Sequence, residues 1–339
     1  MIKELSNNNF YDNIQSKISL LIYYYFQLLY FLILLPIIQL SKEENSRILL
    51  TINGTGTQEI LYNYYANDPY EVYVNNIFHV STNKKKVNNL IEPLNNITII
   101  WNSQITDCNK MFVGLTKIIY IDLSSFDTSS VTDMNDMFLG CSSLTSINLN
   151  KLKTSKVTNM ADMFNGCNSL ISLNLNDFDT SSVTGMGHMF AECSSLQSLT
   201  INKIVTSKVE YMDNMFYGCS SLISLNLRNF DTSSVIDMNN MFYGCSSLVS
   251  LNLKKFIILS GTNTNNIFDN CNSDLTICIN IEYSNNVISS KDFKIDCNEV
   301  CDPIDFYNKQ CKMGDIQKYI RNELQNNNLD DLIYTAKHI

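Results

Sequence analysis

Histidine, tryptophan and basic charge are scarce in this chain, and each scarcity removes a class of function. Its 339 residues include three histidines, His79, His188 and His338, and a single tryptophan. A Cys or Ser nucleophile needs a positioned base, and none of these histidines recurs beside a cysteine. No G-x-S-x-G, P-loop, H-E-x-x-H or D-x-D-x-D-G stretch occurs. The 24 Lys and Arg are outnumbered by 33 Asp and Glu, giving a net charge of −9 with no basic stripe, which argues against a nucleic-acid partner. The expectation is a non-enzymatic protein with no catalytic residue, no cofactor and no bound metal.

What the chain has in abundance is repetition. Cys141, Cys167, Cys193, Cys219, Cys245 and Cys271 fall 26 residues apart, each preceded at three residues by Phe138, Phe164, Phe190, Phe216, Phe242 or Phe268. A fixed period of this length is the signature of a solenoid, whose units bury their apolar faces against each other. Within one copy, Leu144, Ile147 and Leu149 read as a short strand with period-two alternation. Val157, Met160, Met163 and Phe164 are spaced three, three and one apart, the spacing of a helical or 3-10 return. The fold class is therefore an α/β repeat solenoid with a parallel sheet. A second regularity has a period of 52: Phe-Asp-Thr-Ser-Ser-Val from residues 126, 178 and 230 alternates with Thr-Ser-Lys-Val from residues 154 and 206. Stacking would place Asp127, Lys153 and Asp179 side by side and avoid a ladder of like charges.

The recurring C-x-x-L-x-x-[IL]-x-L and V-x-x-M-x-x-M-F-x-x-C, together with F-D-T-S-S-V, resemble the BspA-like leucine-rich repeat surface proteins. The resemblance covers residues 106–280. One departure from ordinary leucine-rich repeats accompanies it: the position three after the last strand leucine, usually Asn, holds Phe126, Leu152, Phe178, Ile204, Phe230 or Phe256. The resemblance implies a leucine-rich-repeat type of sheet, display at the cell surface, and adhesion or partner binding without enzymatic activity.

Residues 1–17 form an N-terminal tail. Residues 18–40 carry no formal charge and as a helix would span about 35 Å, enough for a bilayer core of about 30 Å. The segment reads as a transmembrane signal anchor, with a long signal peptide, and hence secretion, as the alternative. The sequons at Asn53 and Asn96 agree with a location outside the cytosol and are glycosylation candidates. Residues 41–105 hold β-prone runs at 48–52, 71–74 and 97–101 and read as a β-rich cap for the first repeat, with Trp101 at the junction.

Residues 281–339 form a Cys-containing C-terminal region. Cys278, Cys297, Cys301 and Cys311 suggest a disulfide knot with three possible connectivities, a zinc site being the weaker alternative. Eleven cysteines is an odd number, so at least one stays free or pairs between chains. The ladder cysteines sit at an apolar depth and read as core thiols, although their spacing does not forbid bridges.

The surface left for recognition is the outward strand face. Its first column is Ser146, Ser172, Ser198, Ser224 and Ser250; its second is Asn148, Asn174, Thr200, Asn226 and Asn252; its third is Asn150, Asn176, Asn202, Arg228 and Lys254. Two uses are open: ladders that merely solvate the sheet, or a face for a protein or glycan ligand on another cell or matrix. A structural coat or spacer protein acting through self-association is the alternative function.

Overall fold

The computed structural model describes residues 46–279 and 294–295. The apolar segment 18–40, the tail before it, and Cys297, Cys301 and Cys311 lie outside the described residues. Among the described residues no helix is long and apolar enough to cross a membrane.

Six strands precede the repeats: β1 (Ser46–Asn53), β2 (Gly56–Glu59), β3 (Glu71–Val74), β4 (Ile77–Phe78), β5 (Lys86–Leu90) and β6 (Leu94–Trp101). One strand follows in each copy: β7 (Ile118–Asp122), β8 (Ser146–Asn148), β9 (Ser172–Asn174), β10 (Ser198–Thr200), β11 (Ser224–Asn226), β12 (Ser250–Leu253) and β13 (Thr276–Ile279), with β14 (Lys294–Ile295) beyond them. In β1, Ile48, Leu50 and Ile52 point inward and are buried, the alternation of a half-buried strand. β1 pairs antiparallel with β6 along its length and, on its other side, with β7, which in turn runs parallel to β8. The first repeat strand thus has no free edge. Trp101 is buried here, its ring 5.4 Å from that of Phe126 in the first copy.

The core of the solenoid is a set of columns. Rings of Phe112, Phe138, Phe164, Phe190, Phe216, Phe242 and Phe268 stack in sequence at 5.3 to 5.9 Å. Beside them run buried columns of methionine, leucine and cysteine. Cys108, Cys141, Cys167, Cys193, Cys219 and Cys245 are buried free thiols. Each from Cys141 onward donates Sγ–H to the phenylalanine carbonyl of the preceding copy, as Cys193 does to Phe164 at 3.1 Å.

The returns expected to be helical or 3-10 are not helices; the described residues contain strands and turns only. The reason is a pair of positive φ angles in each M-x-x-M-F-x-x-C segment, at Asp136 (56°) and Gly140 (71°) in one copy. Equivalent positions are Asp162 and Gly166, His188 and Glu192, Asn214 and Gly218, Asn240 and Gly244. Asp, Asn, His and Gly are the residues that tolerate this region, which explains why His188 stands in an Asp/Asn column. A left-handed residue reverses the peptide orientation, so the amides cannot all point along one helix axis. Instead the N–H groups of Met134, Asp136, Phe138 and Gly140 donate to Asn159, Ala161, Met163 and Asn165 of the next copy, at 2.7 to 3.0 Å. Those of Met137, Leu139 and Cys141 donate three residues back. A three-three-one apolar spacing therefore belongs here to a flat ladder of turns, bridged without a break from Asp107 to Asn263.

A further column, of threonine, was not foreseen. Thr128, Thr154, Thr180, Thr206 and Thr232 are buried, and each hydroxyl clamps one residue of the next copy. Thr180 Oγ1 donates to the Val205 carbonyl and accepts from the Val205 amide, both at 2.8 Å. Lys153, Asp179, Asp231 and Ile257 are held in the same way. The Thr-Ser core of the 52-residue motif is thus a structural clamp, while the charges flanking it stay outside, with Lys153 Nζ 4.0 Å from Asp127.

Candidate functional site

The strand side is less regular than the turn side. β7 pairs with β8, β9 with β10, and β11 with β12, always in parallel register, whereas no ladder joins β8 to β9 or β10 to β11. The pairs coincide with the 52-residue period. Only after β12 does pairing continue into β13 and β14. Side-chain burial records the seams: Leu173, Leu225 and Leu251 are buried, while Ile147 on β8 and Leu199 on β10, each last before a gap, are half-buried.

Of the first outward column, Ser146 and Ser172 are exposed and Ser198, Ser224 and Ser250 half-buried. Of the third, Asn150 and Lys254 are exposed while Asn176, Asn202 and Arg228 are half-buried. The second column departs most from the expectation of an outward face. Asn174 is exposed and Asn148 and Asn226 half-buried, but Thr200 and Asn252 are buried. Asn252 lies between β11 and β13, in register with Asn226 and Cys278, so strands cover it on both sides. Thr200 pairs with Asn174 on one side, and its carbonyl accepts the Leu175 amide.

Moreover the amides in this column turn the chain. Oδ1 of Asn148, Asn174, Asn226 and Asn252 accepts the N–H two residues on, at 3.0 to 3.2 Å, an Asx turn ending each strand. Asn148 also donates Nδ2 to Asp122 at 3.0 Å. Much of the column's hydrogen-bonding capacity is therefore used internally.

What remains open is the β8/β9 seam. A groove of about 260 Å³ lies there, with Ile147, Asn148, Asn150, Ser172, Asn174 and Phe178 among its walls. It combines a half-exposed aliphatic floor with hydroxyl and amide edges, a mixture suited to holding a ligand by contact and hydrogen bonds. Asp177 is the charged residue in its wall. The signal for the seam in the sequence was the 52-residue alternation.

The thiol column has no such openness. Burial pushes the thiols of Cys141 and Cys193 up to about 12, so they carry almost no thiolate near neutral pH. Cys278 is buried and disulfide-bonded. The sequon residues Asn53 and Asn96 are both exposed, at the end of β1 and on β6.

The family described as "Mycoplasma protein of unknown function, DUF285" matches residues 81–202 and 188–291. The chain belongs to this family. The second DUF285 match is four 26-residue periods long, so what the family defines is a run of copies, the stacked unit seen here. No curated protein and no solved structure matches the chain.

Proposed function

We propose that this DUF285 chain is a non-enzymatic cell-surface recognition protein of the BspA-like leucine-rich repeat kind. Residues 18–40 anchor it as a single-pass membrane protein, and its repeats stand outside the cell, where they bind a protein or glycan of another cell or of the matrix. The observation that carries the reading is the β8/β9 seam: a groove in the Ser/Asn face where the sheet is interrupted and Ile147 is left half-exposed. The test is a secreted form of residues 41–339 applied to cell-surface protein and glycan panels. Binding that is lost in Ser172→Arg, which blocks the groove, supports the proposal. Binding unaffected by Ser172→Arg together with Asn174→Arg moves recognition elsewhere.

A second reading, a coat protein that acts through self-association, is favoured by β4. This strand ends the six-stranded sheet, and its Ile77 and Phe78 are 73% and 53% exposed. An apolar free edge is a template for pairing with another chain. Sedimentation of the purified full chain decides: concentration-dependent assembly abolished by Ile77→Lys selects this reading.

A further inference from the structure

One copy breaks the pattern of the turn ladder. Gly185 and Gly187 stand where the neighbouring copies carry Asn159 and Tyr211, and Ala161 and Asp213. Glycine is usually demanded by a positive φ, yet neither residue has one. Both glycines therefore serve space. A Cβ at Gly187 would lie 2.7 Å from Asp213 Oδ1, and one at Gly185 would lie 3.0 Å from Asn159 Oδ1.

The missing side chains leave a groove of about 370 Å³, walled by Asn159, Asp162, His188, Tyr211 and Asp213. Tyr211 is 47% exposed, an open aromatic face at the rim. Around it the polar groups are already arranged: His188 Nε2 is 3.1 Å from Asp213 Oδ2 and 3.2 Å from Asn214 Nδ2, and Asp162 Oδ1 accepts Asn165 Nδ2 at 2.8 Å.

We propose that this groove is a binding site for a neutral hexopyranose, the terminal sugar of a glycan. An aromatic face stacks on the C–H side of a pyranose ring, and flanking planar amide, carboxylate and imidazole groups bind its hydroxyls. Two carboxylates without a lysine or arginine in the wall repel an anionic sugar. Both carboxylates already accept hydrogen bonds, which suits a ligand that donates and accepts better than a cation needing a converging pair of free oxygens. The proposal adds a second site to the recognition reading and rests on that reading for display outside the cell. It places the sugar on the turn side, away from the β8/β9 seam.

The test is saturation-transfer NMR on the full chain with methyl α-D-mannopyranoside, methyl β-D-galactopyranoside and the methyl β-glycoside of N-acetylglucosamine. N-acetylneuraminic acid and N-acetylarginine amide are the charged comparisons. At least one neutral glycoside binds, and its affinity falls at least tenfold in Tyr211→Ser and in the double variant Gly185→Asp, Gly187→Asn. The double variant installs the residues found at Asp133 and Asn135, so it keeps the ladder while filling the groove. Ser172→Arg leaves this binding unchanged. The proposal is overturned if no neutral glycoside binds, if only a charged comparison binds, or if binding survives both groove variants. Sugar binding lost in Ser172→Arg but kept in Tyr211→Ser also overturns it, and assigns the sugar to the seam.

Discussion

The two long sides of the solenoid are made from the same copies and held together differently. On the turn side, one rung follows another from Asp107 to Asn263, each fixed by main-chain bonds to the next copy, by a stacked phenylalanine and by a thiol. On the strand side the copies pair in twos, with open seams after β8 and β10. Continuity of the turn side is what lets the strand side open: a gap in the sheet does not separate the copies, because their cohesion lies elsewhere. The lesson is that a repeat protein can place irregularity, and with it a recognition groove, on the side that contributes less to stacking.

The comparison is broken most directly by truncating one residue on each side of the solenoid. Phe190→Ala removes a ring fully inside the stack and is expected to cost about 3 to 5 kcal/mol. Leu199→Ala, at the half-buried seam, is expected to cost about 2 kcal/mol or less. Urea denaturation followed by circular dichroism reads both; equal losses would mean that the strand side holds the copies as firmly as the turn side.

Next in size is the threonine clamp, which lies between the two sides. Thr180→Val keeps the shape but strips both bonds to Val205, leaving a buried amide and carbonyl without that partner. A loss of about 2 to 3 kcal/mol is expected, with Thr180→Ser recovering most of it. The same denaturation curves check this, and a Val variant as stable as the parent would reduce the clamp to packing alone.

How much of this was legible follows the chemistry of each column. Cys141, Phe138 and Leu144 recur with apolar neighbours at one period, and burial at that period is what a core requires, so solenoid and core register could be read directly. The turn ladder could not, because Val157, Met160, Met163 and Phe164 share their spacing with a helix, and apolar periodicity does not report the sign of φ. The sign was written in Asp136, Asp162, His188, Asn214 and Asn240, residues united by tolerance of the left-handed region, and not by exposure alone. Thr128 and its equivalents were hidden by the charges beside them, and Asn148 and its equivalents looked like a free face although their oxygens close turns. Gly185 and Gly187 stand out only when the side-chain columns along the ladder are known.

A smaller effect tests the left-handed positions themselves. Asn240→Ala, at φ 53°, is expected to cost about 1 kcal/mol, and Asn240→Gly is expected to return the backbone part of that loss. Thermal unfolding of the two variants gives the order, and Ala above Gly would show that the side-chain bond to Asn214, 3.1 Å long, and not the backbone, sets the residue.

The smallest expected effect separates the sides by acidity. On the strand side β8, β9, β11 and β12 end in Asx turns made by neutral Asn, whereas the turns before the threonine clamp use Asp127, Asp179 and Asp231. Hydrogen bonds from Ser181 hold the Asp179 carboxyl below its usual value of 3.8, and Ser129 and Ser233 do the same for Asp127 and Asp231. A carboxyl whose value is lower in the folded chain contributes stability that is present above the unfolded value and is lost as pH falls through the folded one. Asp127 and Asp179 are exposed and Asp231 is half-buried, so solvent screening keeps each contribution small. Asp179→Ala should therefore be less stable than the parent at pH 7 by more than at pH 2, while Asn174→Ala should lose about the same at both. Urea midpoints at the two pH values decide it: a pH-independent Asp179→Ala difference would mean that the turn holds through its geometry, as the asparagine turns do, and that its charge is incidental.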